Sequence, residues 1–230
     1  MKAEKSLIQL KIEADLTAGA IRSDVDARRL RILAAAVQEC SEVGFQNASI
    51  ASVARRAGVS TATIYREHKD KVELIAKCVA YVVPILAQAV TSPEDAENPF
   101  INIRNMLISH GKAMGDPFMT WLYRLYVGAD GLEQYESFVD IARAGRAFTQ
   151  AHWATKLETL ERQGYLVPSV HVETTNLLLG QIERRTILAQ LLYGPTDSAK
   201  PTLEAVARFA ATSLFASLGT DAFHRTHAMG

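Results

Sequence analysis

Cysteine is scarce in this chain, with two among 230 residues, and so small a number excludes a disulfide-stapled fold. Cys40 keeps step with Leu33 and Val37, and Cys78 with Leu74, Ile75 and Val82, at helical spacing; both read as core thiols rather than a redox pair. A long apolar run is also missing. The longest, Cys78 to Ala87, has ten residues and contains Pro84, whereas spanning a bilayer takes about 20, so no transmembrane segment and no membrane partner is predicted. Net charge is absent too: 25 basic and 25 acidic residues cancel, which excludes a molecule that coats nucleic acid by bulk charge. No glycine loop cradles phosphate and no His/Cys spacing suits a metal, since the close pair His224 and His227 lacks further obvious ligands. Neither catalysis nor a metal or cofactor is expected. The opening residues mix both charges and lack the unbroken apolar stretch of a secretory signal, so the cytoplasm is the expected compartment.

What is present is ordinary globular material, 48% hydrophobic and 22% charged, long enough for one large domain or a small one joined to a larger. Apolar residues recur at three- and four-residue spacing nearly everywhere and strict alternation is almost absent, which predicts an all-α chain of about nine helices. Residues 1–80 hold 13 Lys/Arg against 10 Asp/Glu and the remainder 12 against 15, so the N-terminal third is the basic part. Residues 1–23 form a polar extension. A first helix runs from about Asp26 to Glu42 with Gly44 as its stop, and two short helical pieces follow, Ile50 to Ala57 and Thr61 to about His68. Ser49 and Ser60 stand where N-caps belong, as does Asp70 before a helix in which Pro84 is predicted to kink or end the run. Beyond a turn-rich loop at 91–99, helices are predicted at about 100–113, 117–127, 132–163, 169–193 and 201–218, and a polar tail covers 219–230.

Ser49 to Lys71 spells a helix-turn-helix. Two helices crossing through a three-residue turn need a small residue where they approach, a residue tolerant of positive φ in the turn, and an apolar anchor on the second helix. Ala54, Gly58 and Ile64 occupy those places. Val53, Ala57 and Val59 complete the inner face, leaving Arg55, Arg56, Thr61, Thr63, Arg66 and Glu67 on outer positions.

From about Arg28 to Leu74 the sequence resembles the DNA-binding domain of the TetR family of bacterial transcription regulators. The resemblance rests on Gly44-Phe45, Ser49, Val53-Ala54, Ala57-Gly58-Val59-Ser60, Thr63-Ile64-Tyr65, Lys69, Lys71 and Leu74. His68 departs from it, standing where the family usually has a phenylalanine. The resemblance implies a three-helix DNA-binding domain over residues 24–72, followed over 73–218 by a larger helical domain for ligand binding and dimerisation. It implies that the helix opening at Thr61 enters the major groove of a double-stranded operator. Thr61, Thr63 and Arg66 are then candidates for reading bases, with Arg66 foremost. Tyr65, Ser49 and Ser60 would contact phosphates, and Lys69, Lys71, Arg22, Arg28 and Arg29 would neutralise them on either flank.

So short a reading unit needs two copies, and the resemblance places a homodimer interface on about 169–193 and 201–218. Leu177, Ile187, Leu188 and Phe209 there offer more apolar surface than one core covers. Regulators of this type sense a small organic effector among their middle helices. The aromatic-rich stretch holding His110, Met114, Phe118, Trp121, Tyr123 and Tyr126 is one part of the expected lining; Phe148, His152 and Trp153 are the other. The reading is of a ligand-responsive regulator, a repressor in the first place. An activator of the same family, or a helical ligand-binding protein without regulatory DNA binding, is the alternative. Pro84, on the strut between reader and sensor, is the candidate pivot.

Overall fold

The computed structural model describes residues 24–89, 98–128, 136–169, 171–188 and 202–226. Among them are ten α-helices and no strand. In chain order they are α1 (Asp24–Asn47), α2 (Ile50–Ala57), α3 (Thr61–Glu67), α4 (Lys71–Ala89), α5 (Pro99–Met114), α6 (Pro117–Gly128), α7 (Glu136–Arg162), α8 (His171–Glu183), α9 (Leu203–Leu218) and α10 (Asp221–Thr226). A π-helical turn, Arg184–Leu188, continues α8. The described residues fall into two compact units, one from those within 1–86 and 116–144 and one from those within 87–115 and 145–230.

The first unit buries one stripe from each of its helices: Ile32, Ala36, Val37 and Cys40 of α1, Val53 and Ala54 of α2, Ile64 of α3, Leu74, Ile75, Cys78, Val79 and Val82 of α4, and Phe118 and Leu122 of α6. Gly44 breaks α1 with φ 77°, a left-handed value open to glycine at no steric cost, and the chain then turns Phe45 into the core. Both cysteines are buried and unpaired, and burial pushes the Cys40 thiol up to about 12. The start of α4 is fixed reciprocally: Asp70 Oδ1 accepts from the Glu73 N–H at 2.8 Å and Glu73 Oε2 from the Lys69 N–H at 2.7 Å, an arrangement like the capping box. Pro84 does not end α4, which continues to Ala89. Proline in a helix interior costs about 3 kcal/mol, and the buried stripe before it offsets that loss.

In the second unit α5 packs against α8 and α9 around Phe100, Ile103, Leu107, Trp153, Leu157, Leu178, Leu179, Ile182, Ala210, Leu214 and Phe215. Asn98 caps α5 by accepting from the Phe100 and Ile101 N–H groups, with Pro99 at the first helical position, where its missing donor is not needed. After α7, Gly164 takes φ 78° and the chain crosses to the α9 end. There the Val167 N–H donates to the Leu218 carbonyl at 2.7 Å and the Thr220 N–H to the Tyr165 carbonyl at 3.0 Å.

The segment read as a polar tail is in part α10, and Phe223 is why. Its ring is fully buried and stacks on Phe215 at 4.2 Å between centroids. One aromatic is enough to dock a turn of helix once a capping hydroxyl is beside it, and the Thr220 Oγ1 accepts from the Phe223 N–H at 3.2 Å.

Candidate nucleic-acid interface

The sequence assigns α2 and α3 to a helix-turn-helix, and local chemistry shapes both. Ser49 Oγ accepts from the Ser52 N–H at 3.1 Å and Ser60 Oγ from the Thr63 N–H at 3.1 Å, so each serine satisfies a donor that the first helical turn leaves open. Between the helices Gly58 adopts φ 67°, ψ 37°. The Val59 N–H reaches back to the Ala54 carbonyl at 3.0 Å and the Gly58 N–H to that of Arg55 at 3.4 Å, the paired bonds of a Schellman ending.

With only Ile64 of α3 buried, the rest of that helix is left to the surface. Thr61, Arg66 and Tyr65 are exposed, Tyr65 at 55%. Arg66 has no side-chain partner among the described residues. Thr63 is half-buried, and its hydroxyl shares a hydrogen bond with that of Ser60 at 2.9 Å. Lys69 is exposed just beyond the helix. These five residues, with Ser60, lie together on one short stretch.

Other basic residues are engaged within the unit. Lys71 Nζ donates to the carbonyls of Phe45 at 2.8 Å, Ala48 at 3.0 Å and Gln46 at 3.4 Å. Arg56 pairs with Glu42 and, at 2.7 Å, with the buried Glu39. Its guanidinium holds the Glu42 carboxyl below the usual carboxylate range. Arg28 and Arg29 both reach Glu67, so Glu67, expected on the outer face, is instead turned onto α1. Arg22 lies outside the described residues.

His68 is buried at the C-terminal end of α3, where its N–H donates to the Ile64 carbonyl at 2.9 Å. Burial holds its ring below the ordinary histidine pKa, with the nearby Lys77 charge acting the same way, and Nδ1 has no hydrogen-bond partner among the described residues. An imidazole thus occupies an aromatic slot.

These features are those of a recognised domain: residues 32–78 match the family described as bacterial regulatory proteins, tetR family. Residues 32–78 belong to the TetR family. The HTH-type transcriptional regulator BetI of Pseudomonas fluorescens is 32% identical to the chain over 101 residues, 41% of this chain and 51% of that protein. BetI of Serratia proteamaculans is 40% identical over 63 residues, 27% of this chain and 32% of the relative. The chain thus spans about half the length of the first of these relatives. Among solved structures, a protein from Mesorhizobium loti described as a TetR-family transcriptional regulator shares 19% identity with a TM-score of 0.73, over 86% of this chain and all of that one. A TetR regulator from Agrobacterium tumefaciens gives 19%, 0.63, 86% and 98% for the same quantities. The fold of TetR-family regulators therefore extends well beyond the TetR-family domain itself.

The residues expected to line an effector site fall in both units. In the first, Phe118 and Trp121 are buried with ring centroids 5.0 Å apart, and Tyr123 is half-buried; the side chain of Tyr126 lies outside the described residues. In the second, Trp153 sits in the central cluster, Met114 is buried, His152 is half-buried and Phe148 is 58% exposed. His110 is buried, its Nε2 3.6 Å from Glu183 Oε1, and Arg146 donates to both oxygens of that carboxylate at 3.0 and 3.1 Å. Sequence reasoning missed Glu39, Glu67 and Glu183. Each pairs with a residue 17 or more positions away, and no local spacing announces such a contact.

Proposed function

We propose that this chain is a transcription regulator that binds a palindromic operator as a homodimer in the cytoplasm and represses until a small organic effector releases it. The observation that carries the reading is α3: a helix capped by Ser60, seated by Ile64, and presenting Thr61, Tyr65 and Arg66 outward within a TetR-family domain. Arg66 suits forked recognition of a guanine, Thr61 and Thr63 other base edges, and Tyr65, Ser49, Ser60 and Lys69 the phosphates. Arg22, Arg28 and any donor Lys71 keeps free would add to the phosphate contacts. Residues 24–72 form the reader in this proposal, and 73–218 sense and dimerise.

Dimerisation is supported by α8 and α9, which present Leu177 at 71% and Phe209 at 67% exposure. Beside Leu177 a Cβ added at Gly180 would meet nothing within 4 Å, so a partner helix could approach closely there. The effector would contact some of His110, Met114, Phe118, Trp121, Tyr123, Tyr126, Phe148, His152 and Trp153. A hundredfold loss of operator binding then requires the effector to favour the released state by about 2.7 kcal/mol.

The test is Tyr65→Ala in an electrophoretic shift with the fragment upstream of the chain's own gene. Loss of the shift with an unchanged circular dichroism spectrum supports the reading; an undiminished shift refutes the assigned interface.

A further inference from the structure

The last residue of α3, Glu67, lies between two arginines of α1. Arg28 Nη2 donates to its Oε1 at 3.1 Å and Arg29 Nε to its Oε2 at 3.1 Å. The carboxylate is 13% exposed, whereas Arg28 is 30% and Arg29 58% exposed. Burial works against its ionisation, yet the hydrogen bonds from Arg29 and Arg28 hold it below the usual carboxylate range. Such charge-assisted bonds are short and directional. The same end of α3 also meets α4, where Lys77 Nζ lies 3.4 Å from the Glu67 carbonyl.

This matters because α3 has seven residues and a single buried side chain, Ile64. One buried side chain within a short helix restrains its roll only weakly, so contacts at its two ends set the angle. Arg66 and Glu67 are neighbours, so their side chains leave the helix about 100° apart. Fixing the roll at Glu67 therefore fixes the direction in which the Arg66 Cα–Cβ bond leaves the helix. The arginines retain donors as well: a guanidinium has five, and Arg29 commits only Nε to the carboxylate.

We propose that Glu67 is a positioning residue for operator recognition, setting the roll of α3 that aims Thr63 and Arg66, and holding the Arg28 and Arg29 guanidiniums beside the recognition helix as a prearranged phosphate clamp. The inference rests on the DNA-binding reading above. It assigns specificity to a carboxylate that would itself repel DNA. The charge of Glu67 weakens binding to every duplex, and its geometry favours one sequence over the rest.

The experiment uses the full chain, a duplex selected by the wild-type protein from a randomised pool, and a random duplex of equal length, with fluorescence anisotropy read across a salt series. Glu67→Gln keeps the shape and removes the charge. Expected is a tenfold or greater fall in preference for the selected duplex, with random-duplex binding tightened and its salt slope steeper by about one. In a chain carrying Arg28→Gln and Arg29→Gln, the Glu67 change should cause no further loss of preference. An unchanged preference, or an equal loss with both arginines already replaced, overturns the proposal. Should Glu67→Gln fail to fold, Arg28→Lys with Arg29→Lys takes its place, because lysine keeps the charge without the fork. That chain must lose preference tenfold while holding its random-duplex affinity, and unaltered preference counts against the clamp. A wild-type protein that prefers no duplex over random sequence defeats the DNA-binding reading itself, and with it the clamp; a wild-type preference untouched by the variants defeats the clamp alone.

Discussion

The Lys71 ammonium lies 4.4 Å from the centroid of the Phe45 ring and 2.8 Å from the Phe45 carbonyl oxygen. A lysine whose position in the sequence reads as a phosphate contact thus closes the end of α1 against the start of α4. Lys71→Met should lower unfolding stability by about 1–3 kcal/mol, since it strands partly buried carbonyls, and urea denaturation measures it. If phosphate contact were instead its main role, stability would hold and the salt slope of DNA binding would fall by about one.

Gly58→Ala should destabilise the first unit by about 1–2 kcal/mol, the price of a left-handed conformation for a residue with a Cβ. A Cβ there would meet nothing within 4 Å, so the cost is one of backbone and not of packing. Gly58→Asn should recover part of it, as asparagine tolerates this region better. Urea midpoints of the three proteins give the order.

His68 makes stability depend on pH in a defined sense. Its pKa is lowered in the folded chain, by burial first and by Lys77 second, with Arg29 adding to the effect and Glu67 and Glu73 opposing it. The unfolded chain therefore takes up the proton at higher pH than the folded one, and stability is full above about pH 6.5, the unfolded value, and declines as pH falls through it. His68→Phe should flatten the fall in melting temperature between pH 7 and 5. An equally steep fall in the variant would assign the acid sensitivity to other groups.

Phe223→Ala should cost about 3–5 kcal/mol, as expected for emptying a buried aromatic site. The loss should appear in calorimetry of the full chain and be matched by removal of residues 221–230.

Cys40 and Cys78 should resist alkylation in the native protein at neutral pH and react in denaturant. Burial raises both thiols, Cys40 to about 12 and Cys78 well above its ordinary value, and the thiolate is the reactive form.

What was legible in the sequence follows range of interaction. Ser49, Ser60 and Gly58 act on neighbours within a few residues, so their identities alone marked two caps and a turn. The stripes of α1 and α4 were equally plain because a helix repeats its buried face every three or four residues. Glu67 reads as outer-facing because its partners lie 39 and 38 residues away, and the carbonyls that Lys71 reaches, 26, 25 and 23 residues away, escape local spacing for the same reason. Phe223 went unread because a single aromatic in polar sequence has no periodicity; only the ring of Phe215 beside it explains α10.

The turn Arg184–Leu188 spans one residue more per hydrogen-bonded ring than the helix leading into it, and the Thr186 hydroxyl donates back to the Ile182 carbonyl of that helix at 2.9 Å. A ring of that size holds one residue beyond what the ordinary repeat needs. Excising a single amino acid at Arg184–Leu188 would therefore restore an ordinary coil, whereas the same excision inside His171–Glu183 would rotate the side chains between the cut and Glu183 by about 100°.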